Sequence, residues 1–431
     1  MIQNYDEIAT TPLRKDALAI LEAGYAAIDT TAVMRRTLHR KDDMLIVGGK
    51  EYDLSSFQNV YVVAFGKCAA DAAHVVEDVL GDTITDGVVI DVRSGVALSY
   101  LQYHEGTHPL PSEANVKATQ NIESMLSRAT ERDLVIVVIS GGGSSLLCLP
   151  HDMTCSTLSD ITHTLMRGGA TINELNTVRK HTSRVQGGQL AAMAFPATVV
   201  SCVFSDVPGN DLSVIASGPT ILDQTTKEEA ARILAKYDVL TACTLPQCEL
   251  VETPKDPKLF QHVYHVLAVT NSSMLSAMAK EARTLGYTAQ IVGTGVQGEA
   301  RDVGVRIARS AVVGKTCLLY GGETTVTVGN AKGKGGRNQE VALGALVHMI
   351  GSLDAAGKLV LGAASDGWDN TPVAGAIVDS SAVWTALCSG LDPQAYLDAH
   401  DTHSFFKEID THIITGRTGA NVADVYMSLT S

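Results

Sequence analysis

A two-domain α/β protein with mostly parallel sheets is predicted by three features of this sequence: its length, its many glycines beside few aromatics, and short apolar runs alternating with amphipathic stretches. At 431 residues the chain exceeds one ordinary core, which about 100 to 200 residues fill. Hydrophobic residues make up 45% and charged residues 19%, enough to bury sizeable cores and too apolar for long disordered segments. With aromatics at 5% and 38 glycines, the interior rests on Val, Ile, Leu and Ala, and many backbone positions call for a bare Cα. Parallel sheets joined by tight glycine turns meet both demands.

Apolar residues at helical spacing predict a helix over Pro12 to Ile28. Leu45 to Val47 then reads as a strand entering a Gly48-Gly49 hairpin turn. From Val60 the pattern is rhythmic: strand Val60 to Phe65, helix Ala69 to Leu80, strand Gly87 to Val92, helix Ser112 to Arg128, strand Leu134 to Ile139. Such alternation implies right-handed parallel crossovers. A helix from Ile172 to Ala194 and a strand Thr198 to Phe204 extend the series, followed by a long loop to Thr220. Pro246, Pro254 and Pro257 among charged residues mark Cys243 to Gln261 as the linker. The domains are therefore expected over 1–255 and 256–431, with residues 1–50 a candidate for docking on the second. There the rhythm restarts: strand Val263 to Thr270, helix Met274 to Leu285, strand Thr288 to Val292, helix Ala300 to Val312, strand Thr316 to Tyr320, helix Asn338 to Ile350, strands Lys358 to Ala364 and Thr411 to Thr415.

The formal charge of -14 repels phosphate backbones and disfavours nucleic acid as a partner. The eight cysteines contain no C-x-x-C pair, so reduced thiols are expected rather than a zinc site. Charged residues through Met1 to Ile20 exclude a secretory h-region. The apolar run Leu134 to Ile139 falls far short of a membrane span. The cytoplasm is the expected compartment.

Ligands of open α/β sheets gather beyond the C-terminal strand ends, which directs attention to the residues there. After Leu134 to Ile139 come Ser140, Gly141, Gly142, Gly143, Ser144 and Ser145, whose bare backbone could converge its N–H groups on a phosphate. Lys67 follows Gly66 at the end of another strand, where a cation opposes the helix dipole. It fits a bound anion, although a solvated surface lysine accounts for the same pattern. Asn176, Arg179 or Lys180, and Ser183 share one helix face by spacing and could hold a carboxylate or phosphate. A solvated charged face is the alternative. Asp206 ends the strand Thr198 to Phe204 and could orient a metal or accept a proton. Glu323 follows Gly321-Gly322, Asp366 follows another strand, and Arg337-Asn338 opens a helix after Gly335-Gly336 with a guanidinium suited to oxyanions.

Two tempting motifs fail their structural tests. His104-Glu105-Gly106-Thr107-His108 spells H-E-x-x-H, but Gly106, Pro109 and Pro111 disfavour the helix that zinc binding needs. Gly314-Lys315-Thr316 resembles the end of a P-loop, but Arg309 stands where the first glycine belongs and a strand follows.

Taken together, Phe65-Gly66-Lys67-Cys68-Ala69, Ser140 to Ser145, Asn176-Thr177-Val178-Arg179-Lys180-His181 and Gly335-Gly336-Arg337-Asn338-Gln339-Glu340 resemble the glycerate 2-kinase family. The last motif resembles the hallmark of its C-terminal MOFRL domain. The likeness runs in order from about residue 12 to the C-terminus. It implies a Rossmann-like first domain with helices on both faces of its sheet, a smaller MOFRL-type α/β domain, and an active site in the interdomain cleft. The implied reaction is ATP-dependent phosphorylation of the 2-hydroxyl of D-glycerate, with Mg²⁺ or another divalent metal; a homodimer is the candidate assembly. Lys67 and Arg337 take the motif positions that the family uses catalytically. Asp206 becomes the candidate general base, and Glu323 and Asp366 orient metal or substrate. Ser140 to Ser145, Asn176, Arg179, Lys180 and Asn338 would bind oxyanions. Two departures stand out: Asn370 where the family shows a second glycine after Asp-Gly-x-Asp, and Arg417 where it shows proline in Thr-Gly-x-Thr-Gly. The rival functions are a nicotinamide-dependent hydroxypyruvate reductase, against which the missing G-x-G-x-x-G counts, and a non-catalytic metabolite sensor, against which the retained Lys67 and Arg337 count.

Overall fold

The computed structural model describes residues 1–243, 245, 248–310, 314–352 and 355–431. The chain forms two compact units: a central unit, Thr30–Ala268, and a terminal unit built from Met1–Asp29 with Val269–Ser431. The division thus falls after residue 268 where 255 was expected, and residues 1–29 of the expected docking segment group with the C-terminal part. Pro246 of the expected linker and the last two residues, 311 and 312, of the expected helix from Ala300 lie outside the described residues.

The central unit opens with an antiparallel meander of β1 (Leu38–Lys41), β2 (Met44–Val47) and β3 (Lys50–Asp53). Gly48 and Gly49 make the predicted turn with φ of 58° and 86°, which side chains rarely tolerate. Next come β4 (Asn59–Phe65), β5 (Asp86–Asp91), β6 (Gln102–Glu105), β7 (Asp133–Ile139), β8 (Thr198–Phe204) and β9 (Val263–Val269), ordered β6-β5-β4-β7-β8-β9 across one sheet. The pairs β4–β5, β5–β6, β4–β7 and β7–β8 are parallel. Val63, Phe65, Val135, Val137 and Ile139 share a core with helices Glu113–Leu126 and Gln189–Ala194. Helix Ala69–Leu80 packs against β4 and β5 as well. All seven residues of β7 are buried, which explains its unbroken apolar run. The chain steps outward from β4 to β6 and then returns to place β7 on the other side of β4, so the strand order reverses between β4 and β7. That is where doubly wound sheets open a crevice.

Two expectations need correction here. The helix expected over Ile172 to Ala194 is two helices, Ile172–His181 and Gln189–Ala194. Gly187 and Gly188, at φ of 62° and 83°, take a conformation that no helix continues. Strand β9, expected to open the second domain, is the edge strand of the first sheet. Helices Cys155–Arg167 and Lys227–Lys236 were not foreseen, although Thr154 and the Thr226–Glu229 capping box announce both. They bury Ile161, Leu165 and Leu234 against Leu175 and Val178 of helix Ile172–His181.

The terminal unit carries β10 (Thr288–Val296), β11 (Thr316–Gly322), β12 (Lys358–Ala364), β13 (Gly375–Asp379), β14 (His412–Ile413) and β15 (Asp424–Thr430), ordered β10-β11-β15-β12-β13-β14. Among the described residues β10–β11 is parallel and β11–β15, β12–β15, β12–β13 and β13–β14 are antiparallel, so this layer is a mixed sheet. Strands β13 and β15 were missed, and β15, wholly buried, lies in the middle. Helix Pro12–Ile28 packs on helix Asn271–Thr284, where a Cβ on Gly24 would run into Met278. It is tied to the sheet by the buried pair Arg14–Asp379 at 2.8 Å and by Tyr25 Oη donating to Ala364 O at 2.9 Å. No single helix among the described residues is long and apolar enough to cross a membrane.

Candidate active site

Beyond the ends of β4 and β7 the central unit brings together the two motifs that the sequence singled out. Gly66 has φ 123°, and a Cβ there would land on Ser140. Only glycine lets the two strand ends approach so closely. The contact is sealed by Lys67 N–H donating to Gly141 O at 2.9 Å. Ser140 is buried, its Oγ accepting from Cys68 N–H at 3.4 Å, so its side chain joins the strands instead of facing solvent. The N–H groups of Gly141, Gly142 and Ser144 make no hydrogen bond among the described residues. They form an open nest beside Lys67, whose ammonium meets no carboxylate among the described residues. His108 lies against Gly142. Desolvation of its ring, together with the Lys67 cation, pushes its pKa down to about 4, so it stays neutral at neutral pH. A residue missed earlier, Asp91, is buried and accepts from Ala70 N–H at 2.9 Å, anchoring the helix that follows Lys67.

Helix Ile172–His181 divides its predicted residues. Asn176 Oδ1 accepts from Ser217 Oγ at 2.9 Å, and Ser217 Oγ lies 3.1 Å from Ser144 Oγ, which joins Asn176 to the glycine turn. Arg179 is half-buried in a recess also lined by Ser144 and Ser145, and burial pushes its pKa down. Lys180, one position round the helix, points elsewhere: it is buried and paired with Asp223 at 2.9 Å, so it takes no part in the cradle. Ser183 lies beyond the helix end, where its Oγ accepts from Val185 N–H. Asp206 is half-buried just past the end of β8. His104 sits on strand β6, so H-E-x-x-H has no helix to stand on.

In the terminal unit, register explains convergence. Gly322 of β11 and Ala364 of β12 both pair with Asp424 of β15, which brings Glu323 and Ser365 to one edge of the sheet. Arg337, the first residue of helix Arg337–Ser352, reaches this edge and bonds Asp424 through Nε and Nη2 and Glu323 through Nη1. Asp369 fixes the helix start: its carboxylate accepts the backbone N–H groups of Asn338 (3.0 Å) and Gln339 (2.9 Å) and both side-chain amides. A Cβ on Gly336 would strike Asp369, which explains that glycine. Asn338 is thus committed to Asp369, and its buried Oδ1 has no partner among the described residues. Burial raises the pKa of Asp369, and it pushes Asp424 up to about 7 against the pull of Arg337. Burial opposes the Arg337 cation, yet Asp424 and Glu323 outweigh it and hold its pKa above the usual arginine value. Glu323 and Asp424 share the single guanidinium of Arg337, with Asp369 at the start of the same helix, so this edge is short of positive charge. Half-buried Asp366 belongs to the same edge, accepting from Trp368 N–H at 3.0 Å. Hard carboxylate oxygens in electropositive deficit suit a divalent cation such as Mg²⁺. Sequence reasoning missed Asp369 and Asp424; the second Asp of Asp366-Gly367-Trp368-Asp369 and the apolar run after Asp424 were the available signals. Arg417, one of the two departures, stacks on Trp368 at 4.5 Å.

The profile of a family described as a domain of unknown function, DUF4147, matches residues 16–247, and that of the MOFRL family matches 316–424. A glycerate 2-kinase from Pyrococcus horikoshii is 36% identical over 97% of both chains. A protein from Agrobacterium vitis, provisionally named a hydroxypyruvate reductase, is 38% identical over 84% of this chain and 85% of its own. A solved glycerate kinase from Thermotoga maritima superposes with a TM-score of 0.83 at 32% identity, covering 97% of this chain and 99% of that one. The chain belongs to the glycerate 2-kinase family.

Proposed function

We propose that this chain is a glycerate 2-kinase, transferring the γ-phosphoryl group of ATP to the 2-hydroxyl of D-glycerate and releasing ADP. The observation that carries the reading is a lysine beside three backbone N–H groups, all without a partner among the described residues, at the reversal point of a doubly wound sheet. Phosphoryl transfer asks a protein mainly for positioning and for cations aimed at charge developing on the transferred group. Lys67 and the Gly141–Ser144 turn supply both for a phosphoryl oxygen, and Arg337 is the second cation. As the new O–P bond forms and the bond to ADP breaks, the hydroxyl proton leaves; Asp206 is the proposed acceptor. Glu323 and Asp366 would hold the metal, which neutralises phosphate charge when bound. The cytoplasm stays the proposed compartment on the sequence grounds given above.

The Agrobacterium relative's name favours a second reading, hydroxypyruvate reduction with a nicotinamide cofactor. The turn after β4 reads Gly66-Lys67-Cys68 in place of the glycine fingerprint such a cofactor needs. Purified protein with ATP, Mg²⁺ and D-glycerate should form 2-phosphoglycerate, read by coupling to enolase without phosphoglycerate mutase. NADH oxidation with hydroxypyruvate, and no ADP release, would establish the reductase instead.

A further inference from the structure

Resting on the kinase reading, we infer that the recess beside Arg179 holds the carboxylate of the acceptor, so that it selects a small hydroxy acid over a neutral polyol. The recess encloses about 30 Å³, room for a group little larger than a water molecule and far too small for a nucleobase. Leu110, Pro111 and Leu158 form apolar walls; Ser144, Ser159 and Thr162 add hydroxyls.

Those hydroxyls have no hydrogen left to give. Ser159 Oγ donates to Cys155 O at 3.0 Å and Thr162 Oγ1 to Leu158 O at 2.9 Å. Ser217 spends its single hydrogen on Asn176 Oδ1, so Ser144 must be the donor in the Ser144–Ser217 pair. Ser145 Oγ donates to Pro109 O at 2.6 Å. What remains is the guanidinium of Arg179, which makes no side-chain hydrogen bond or ion pair among the described residues. One planar fork between apolar walls matches one planar monoanion with two oxygens. A phosphoryl group, with three oxygens and more charge, is served instead by the nest and Lys67. The turn Gly141–Ser145 connects the two places, as a 2-hydroxy acid requires: its hydroxyl is one carbon from its carboxylate.

Calorimetry on the intact chain tests the assignment. Arg179→Gln should weaken D-glycerate binding about 10- to 100-fold, the range of a hydrogen-bonded charge, and leave Mg·ADP binding within about twofold. Should that variant not fold, Thr162→Leu fills the recess with Arg179 in place and should show the same split. Weaker Mg·ADP with unchanged glycerate, equal losses for both, or no change in either would each overturn the assignment. The wild type's failure to make 2-phosphoglycerate would count against the kinase reading alone, because the calorimetric comparison needs no turnover.

Discussion

Replacing Asp369 by asparagine should loosen the start of the helix that carries Arg337. In the wild type each carboxylate oxygen accepts two hydrogen bonds: Oδ1 from Asn338 N and Nδ2, at 3.0 and 3.1 Å, and Oδ2 from Gln339 N and Nε2, at 2.9 and 3.0 Å. However the new amide turns, its NH2 meets two donors, so two bonds to a buried charge are lost. Such bonds are worth about 1.5 to 3 kcal/mol each. Relief of a buried carboxylate whose pKa is already raised offsets part of the loss, leaving a deficit of about 2 to 4 kcal/mol. At about 1.4 kcal/mol per decade, amide exchange at Asn338 and Gln339 should accelerate roughly 30- to 1000-fold, read by hydrogen–deuterium exchange mass spectrometry. Turnover should fall with it, since Arg337 immediately precedes the loosened turn. Unchanged exchange at these two amides, or protection lost evenly over both units, would refute the reasoning.

Further expectations are as direct. Lys67→Ala and Arg337→Ala should each lower kcat by on the order of 10²-fold or more, the loss of one preorganised transition-state donor; wild-type rates in both would sink the role assignments. Lys180→Met should lower thermal stability by about 1.5 to 3 kcal/mol because the buried Asp223 loses its 2.9 Å charged partner and keeps Lys255 at 3.7 Å and the hydroxyls of Thr225 and Thr253. It should leave the KM for both substrates unchanged, and a raised KM would return Lys180 to the site. His412, stacked on His403 at 4.6 Å, is held down to about 4 by burial and by His403 and Lys407. A ring depressed on folding favours the fold while neutral, so stability should be full above about 6.5 and fall by on the order of 2 kcal/mol as pH drops toward 4. His412→Phe should flatten that slope in denaturation measured across the range; an unchanged slope would exclude the pair as its source.

The four inner strands of the first sheet, β4, β5, β7 and β8, were legible because they are buried on both faces and therefore read as unbroken apolar runs between amphipathic helices, whereas the half-exposed edge strand β6 was missed. The sheet's two glycine motifs were legible because the demands on them are local: Gly66 admits the Ser140 backbone, Gly142 takes φ 82°, and a Cβ on Gly143 would meet Phe65 and Ala216. The second sheet was harder. Strand β15 lies between β11 and β12, each more than 50 residues from it in the chain, and no local pattern announces such pairing. Asp424 was overlooked with it, and so was the acidic edge that only antiparallel register assembles. The break at Gly187-Gly188 was visible in the residues, but helical spacing on either side concealed it. Lys180 shows the limit of spacing arguments: adjacent helix positions diverge by about 100°, and which of Arg179 and Lys180 faces the turn depends on where Asp223 lies.

The interleaving of the terminal unit bears on how the chain is made. A ribosome delivers every residue of the central sheet by position 269, whereas the helix Pro12–Ile28, made before that sheet, must wait for Asp379 and for the strand Asp424–Thr430 before its own sheet exists. Helix Asn271–Thr284 is the first of its packing partners to be made, and until then its buried face makes it the nascent segment that chaperones would be asked to shield. A premature stop at residue 422 would delete a middle strand, so late nonsense changes should be as damaging as early ones.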